Sequence, residues 1–320
     1  MAVMITGGTG FIGSHLAEML IGAGEKPVLF DIAPVRGPLR ELEGCYIFER
    51  GSLCHLSVLM DAIERNGIDR IFHLGGMLSL PAEDNPQAAF DANVIGTWNV
   101  LEAARVHEIP QVIYGSTIAT YSRDIPGDTI DDRTIQRPSS LYGITKTFGE
   151  NLGLYYHRRY GMDFRGVRLP SVVGPGAKTA HMSIYNAWAI EYPLRGLSYK
   201  LSCSPETRCP VLYYKDAAEA VLSLSRAEAA AIETRVYNIA GITPPFSAAE
   251  LVAMVERRIS GARLSFVPDP VVVRLLREIG ALKIRDDAAA REWGWRLSYP
   301  LEAMVEDFIA EFEQHRSYYE

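Results

Sequence analysis

The sequence predicts an α/β protein: a doubly wound parallel sheet with a smaller C-terminal lobe. Three observations carry this reading. Short β-type runs alternate with helical periodicity through the first 170 residues, the pattern of a parallel sheet covered by helices. A glycine-rich turn joins the first strand-like run to the first helical one. Beyond about residue 175 the alternation gives way to irregular segments with Gly and Pro.

Candidate strands in the first half are Val3–Thr6, Pro27–Phe30, Tyr46–Phe48, Arg70–Leu74, Gln111–Gly115 and Phe164–Leu169. Helical stretches between them are Ile12–Gly22, Ser57–Asn66, Ala88–His107 and Leu141–Tyr160. The later part offers strand-like Pro210–Tyr214, Val236–Ile239 and Leu264–Val267, and helices near Ser247–Ile259 and Leu301–Phe312. In the last, Leu301, Val305, Phe308, Ile309 and Phe312 fall on one face and read as core. The expected division is a cofactor domain of residues 1–170 with 215–240, and a substrate lobe of 171–214 with 241–320.

The chain has 320 residues, 48% hydrophobic, with a net charge of −7. That composition excludes a disordered chain. It also argues against nucleic acid or an anionic membrane as the main partner, since both need clustered Lys and Arg. No run of about 20 apolar residues spans a bilayer, and Met1–Thr6 reads directly into a strand, so the cytoplasm is expected. Cys45, Cys54, Cys203 and Cys209 have neither disulfide-motif nor zinc spacing and are expected as reduced packing residues; no metal is expected.

Gly7-Gly8-Thr9-Gly10-Phe11-Ile12-Gly13 lies between a strand and a helix. Gly7 allows the tight turn, Gly10 lets backbone approach a pyrophosphate, and Gly13 lets the helix pack closely. The helix start, with Phe11 and Ile12, offers N–H groups and a positive dipole end to phosphates. Asp31 ends the second strand, 18 residues after Gly13. Its carboxylate suits a ribose diol and repels a 2′-phosphate, which favours NAD over NADP, with Arg36 close by in sequence. Ser52 and Leu53 are placed to border the adenine, and Gly75 the pyrophosphate path.

Tyr142 and Lys146 stand at i and i+4, on one face of a helix. A phenol is a poor base at neutral pH; bringing it towards ~7 takes roughly 4 kcal/mol of preferential stabilisation of the anion. A neighbouring ammonium and an oxidised nicotinamide are two cations able to supply it. The fifth strand ends Gly115-Ser116-Thr117, where a hydroxyl faces the crevice that binds ligands in such sheets. Thr117, or else Ser116, can steady the reacting oxygen beside Tyr142.

With the glycine loop, Asp31, His73-Leu74-Gly75-Gly76, Asn93-Val94-Ile95-Gly96-Thr97, Ser116-Thr117 and Tyr142/Lys146 in this order, the chain resembles the extended short-chain dehydrogenase/reductases, the NAD-dependent epimerase/dehydratase family. The resemblance implies a Rossmann domain, with Leu74, Gly75, Gly76, Asn93 and Leu169 beside NAD along with Tyr142 and Lys146. It also implies a Thr117–Tyr142–Lys146 group that moves a hydride at a carbinol carbon, and a homodimer through the helices bearing Asn93 and Tyr142. A closer similarity over nearly the whole chain is to the short-chain type of L-threonine 3-dehydrogenase, carried by Leu78-Ser79, Ile135-Gln136-Arg137-Pro138, Thr207-Arg208, Tyr237-Asn238-Ile239 and Trp293-Gly294-Trp295.

Two departures separate the chain from sugar-nucleotide epimerases: Arg168-Leu169-Pro170-Ser171 lacks their asparagine, and Arg208-Cys209-Pro210 replaces Arg-Asp-Phe. One separates it from threonine dehydrogenases, whose Gly-Thr-Thr-Asp-Tyr loop here reads Ala177-Lys178-Thr179-Ala180-His181. The expected substrate is a small β-hydroxy acid or amino acid, held by Ser79, Ser116, Thr117, Thr179, His181 and Arg208. A sugar-nucleotide epimerase or dehydratase with tightly held NAD is the alternative. A non-catalytic NAD-sensing module is a third class, against which the retained Tyr142 and Lys146 stand.

Overall fold

Seven parallel strands form the central sheet: β1 (Ala2–Thr6), β2 (Val28–Asp31), β3 (Ile47–Arg50), β4 (Ile68–His73), β5 (Gln111–Thr117), β6 (Asp163–Leu169) and β7 (Val236–Asn238). Their order is β7-β6-β5-β4-β1-β2-β3. The computed structural model describes residues 2–122, 124–178, 181–280 and 282–319. The inner strands are buried along nearly their whole length because helices cover both faces. The strand order reverses between β1, which pairs with β2 on one side and with β4 on the other. A crevice at this switch point is where open α/β sheets bind ligands.

Helices α1 (Phe11–Gly22), α2 (Leu56–Asn66), α3 (Gly96–Val106), α4 (Leu141–Tyr160), α5 (Tyr185–Leu194), α6 (Tyr214–Arg226), α7 (Ala248–Arg258) and α8 (Leu301–Gln314) complete the framework. Residues of α2, α3 and α4 pack on one face of the sheet around Met4, Ile71 and Val112. Residues of α1 and α6 pack on the other around Ile5, Phe72 and Val167. A third cluster gathers α5, α7 and α8 around Tyr185, Leu251 and Phe308. There Val305, Phe308 and Phe312 are fully buried, as their shared face requires.

The helix expected over 88–107 is in three pieces: Pro86–Phe90, a π-helical turn at Asp91–Ile95, and α3. The wider turn is a local device that apolar periodicity does not register. Cys203 and Cys209 are buried and Cys54 is half-buried, but Cys45 is exposed, a correction to the packing role expected for it. Among the described residues no helix is long and apolar enough to cross a membrane.

Candidate active site

The glycine loop closes on the end of β4 so tightly that side chains have no room. Gly7 adopts φ +68°, and a Cβ there would lie 2.7 Å from the Gly75 nitrogen. A Cβ on Gly13 would lie 2.2 Å from the Gly7 carbonyl oxygen. Gly10 caps α1 without a side chain, which leaves the first helical N–H groups open to an anion. Beneath the loop, His73 joins Thr6 (Nδ1 to Oγ1, 2.7 Å) and Thr97 (Nε2 to Oγ1, 3.0 Å), and Thr6 Oγ1 also accepts the Gly75 N–H at 3.2 Å. Burial, reinforced by Lys146, pushes the His73 imidazole down to about 3, so it is a neutral clamp that fixes the spacing of the loop.

Asp31 stands at the lip of this cradle. Its carboxylate accepts the Thr9 N–H at 3.1 Å and the Ala33 N–H at 3.0 Å, which aims it with lone pairs remaining for hydroxyl donors. Ser52 turns back on the Cys54 N–H at 3.2 Å. Leu53 packs against the positions where Gly75 and Gly96 would carry a Cβ. Leu74 follows β4, its N–H bonded to the Thr6 carbonyl at 3.1 Å, and Leu169 ends β6 opposite Thr117. The residues present therefore fit a dinucleotide: an anion-ready helix start, a cradle free of side chains, and a carboxylate at the end of the second strand.

Thr117, Tyr142 and Lys146 come together at the C-terminal end of β5. Tyr142 and Lys146 lie one turn apart at the start of α4, which Ser140 caps through the Gly143 N–H. Lys146 Nζ donates to the Gly115 carbonyl at 2.8 Å and lies 4.8 Å from the Tyr114 ring centroid and 5.9 Å from that of Tyr142. Burial lowers the ammonium to about 8, and the Glu150 charge works against that fall. Burial pushes the Tyr142 phenol up to about 12, while a hydrogen bond from Thr117 pulls it down. A phenol so placed becomes a base only where further positive charge faces it.

Other expected site residues hold different partners. Asn93 spends its amide on the loop after β4: Oδ1 accepts the Met77 N–H at 2.7 Å, and Nδ2 donates to the Met77 carbonyl at 3.0 Å and to Thr145 Oγ1 at 3.1 Å. Gly76 packs beside that amide, where a Cβ would lie 2.8 Å from Asn93 Oδ1. Ser116 is buried and donates to Glu150 of α4, one turn beyond Lys146. Arg208 donates to the Pro245 carbonyl and pairs with Glu250 at 3.1 Å, neither of which belongs to the Tyr142 group. Ser79 opens the short helix Ser79–Asp84. His181 pairs with Ser183 at 3.0 Å, which in turn pairs with Ser171 at 2.7 Å; burial holds its imidazole below the usual value. Thr179 lies outside the described residues.

Sequence reading missed the buried network behind Lys146. Glu150, one turn beyond Lys146 on α4, accepts from Ser116, from Gln136 at 2.7 Å and from Arg168 at 2.8 Å. Arg168 continues to the Tyr121 hydroxyl at 2.8 Å and to Asn238 Oδ1 at 3.2 Å. The signal available was the spacing Tyr142, Lys146, Glu150, three polar residues on one helix face directed at the sheet.

Comparison with known proteins settles the family. The model of the NAD dependent epimerase/dehydratase family matches residues 3–240. The chain belongs to that family. It is 29% identical over 309 residues to the mitochondrial L-threonine 3-dehydrogenase of Bos taurus, covering 95% of this chain and 80% of that one. The holo form of a GalE-like L-threonine dehydrogenase from Cupriavidus necator superposes with a TM-score of 0.88 at 28% identity, covering 98% of this chain and all of the other. The apo form of the Cupriavidus enzyme superposes less well, at 0.76 over 97% of this chain and 99% of that one. With this fold, cradle and family, the chain is an NAD-dependent dehydrogenase of the extended short-chain type.

Proposed function

We propose that this dehydrogenase oxidises the secondary alcohol of a small β-hydroxy acid or β-hydroxy amino acid, with L-threonine the first candidate. The observation that carries the reading is the convergence of Thr117, Tyr142 and Lys146 beside the Gly7–Gly75 cradle. Thr117 donates to the substrate oxygen and Tyr142 removes its proton. Lys146 supplies the positive charge that makes the phenol basic and a donor for the nicotinamide ribose. Gly7, Gly10, Phe11, Ile12, Gly13, Asp31 and Gly75 hold the dinucleotide. Bound NAD supplies the two-electron acceptor. The similarity to threonine dehydrogenases over 95% of the chain supports this substrate class.

The sheet region, 1–170 with 215–240, serves the cofactor, and the remainder serves the substrate. A homodimer through α3 and α4 is supported by the exposed Trp98, Val106, Ile144, Phe148 and Tyr155 on those helices. Four unpaired cysteines suit the reducing cytoplasm.

The test is NADH formation with L-threonine, then with a panel of β-hydroxy acids and amino acids. Saturable turnover is expected, with Tyr142→Phe at least ~100-fold slower. Near-normal turnover in that variant removes Tyr142 from the role. Silence across the panel, with NAD held tightly, moves the reading to a sugar-nucleotide epimerase or dehydratase.

A further inference from the structure

A knot of buried charge lies one helical turn behind Lys146. Two consecutive residues of β5 each hold one member of the α4 face: Gly115 accepts from Lys146 and Ser116 donates to Glu150. Glu150 is 1% exposed and Arg168 6%. An ion pair at such depth loses several kcal/mol per ion in desolvation, and packed apolar residues of like volume are often as stable. Stability alone therefore does not account for it.

We propose that Glu150 is a positioning residue for the reaction: its carboxylate, held by Ser116, Gln136 and Arg168, keeps Lys146 protonated and aimed along β5 towards the cofactor and Tyr142. This rests on the role given to Lys146 above. Lys146 is buried, and an oriented counter-charge one turn away offsets the desolvation of its ammonium. The direction agrees: burial draws Lys146 down to about 8 and Glu150 is the charge that opposes it.

The titratable groups facing the ammonium are Tyr142 and Glu150 from α4, Tyr114 from β5 and His73 from β4. Tyr114 is pushed well up by burial and His73 is kept neutral, so neither carries a compensating negative charge. On the neighbouring elements, Glu83 caps the Leu141 N–H at 2.8 Å and Asp91 pairs with Gln87 at the surface, both directed away. Glu150 is left as the anion that acts.

The chain has six lysines, so protein labelled with 13C at lysine Cε gives few signals, and Lys146 is assigned by its loss in Lys146→Arg. The Lys146 midpoint of the free protein is followed by NMR against pH. In Glu150→Gln it is expected to fall by about one pH unit or more, a tenfold loss of proton affinity. Glu150→Asp, which keeps the charge, is expected to restore most of the shift. Should Glu150→Gln not fold, the double change Glu150→Gln/Arg168→Met removes both charges, leaves neither unpaired, and is expected to lower the midpoint likewise. An unchanged midpoint in either folded variant overturns the proposal. The titration needs no substrate, so a failed turnover assay would sink the substrate reading and leave this result standing.

Discussion

Strand β6 buries two arginines three residues apart, and they serve opposite ends and faces of the sheet. Arg165, 1% exposed, donates to Asp163 and to the carbonyls of Leu224 and Ala227 at the end of α6. Those carbonyls are among the last of a helix, which lack partners of their own. Arg168 lies on the other face, next to the crevice, and meets Glu150, Tyr121 and Asn238. Burial and charge are nearly the same in the two cases. The partners differ: one guanidinium closes a helix, the other balances a carboxylate that faces Lys146. A buried charge is thus interpreted by what lies behind its partner, not by its depth.

The comparison breaks most readily at Arg165. Replacing it by methionine strands the α6 carbonyls and strips Asp163 of its closest partner, at a cost of about 3–5 kcal/mol in urea unfolding. The Lys146 midpoint is expected to stay where it is. A shift as large as that sought in Glu150→Gln would erase the distinction between the two ends.

The local parts of this arrangement were legible in the sequence. Gly7, Gly10 and Gly13 follow one another within a single turn, and Tyr142 and Lys146 within another, so spacing alone placed them. The pairing of Glu150 with Arg168 joins a helix to a strand, and spacing says nothing about that. Ser116 was grouped with the substrate residues because it ends a strand beside Thr117; its buried hydroxyl donates instead to Glu150, a pairing across helix and strand that spacing does not show. Asn93 read as a cofactor contact, but the π-helical turn that carries it brings its amide onto Met77 and Thr145. Helix α5 went unseen because Tyr185, Asn186, Ala187, Ala189, Ile190 and Glu191 are all buried, which leaves no polar face to mark a period.

The two ends of β7 offer a second, slightly smaller contrast, between carboxylates. Before the strand, burial alone would raise Glu292, but bonds from Tyr237, Thr234 and Glu233 prevail and bring it down to about 2. After it, burial raises Asp132 to about 6, against the opposing bond from the Asn238 N–H. The signs are opposite. Glu292 contributes stability above the unfolded value near 4.5 that is lost as pH falls towards about 2. Asp132 binds its proton more tightly when folded, so its contribution declines as pH rises from 3.8 through about 6. Unfolding free energies measured across pH are expected to lose the acid-side decline in Glu292→Gln. They are expected to lose the slope above pH 4 in Asp132→Asn. Identical profiles for the two variants would deny the contrast.

The finest contrast lies within α1, whose start meets the crevice and whose end lies at the opposite edge of the sheet. Alanine at Gly13 would place a Cβ 2.2 Å from the Gly7 carbonyl, and only backbone movement of the loop relieves it. NAD affinity, read by titration calorimetry, is expected to fall at least about tenfold, or ~1.4 kcal/mol. At Gly22, the last residue of the same helix, a Cβ would meet nothing within 4 Å. Gly22→Ala restricts the unfolded chain and suits the helix, so a gain of about 0.5–1 kcal/mol is expected, with NAD affinity unchanged. A loss of NAD affinity in Gly22→Ala would show that the far end of α1 is coupled to the cradle, and that the division between a working edge and a supporting edge does not hold along this helix.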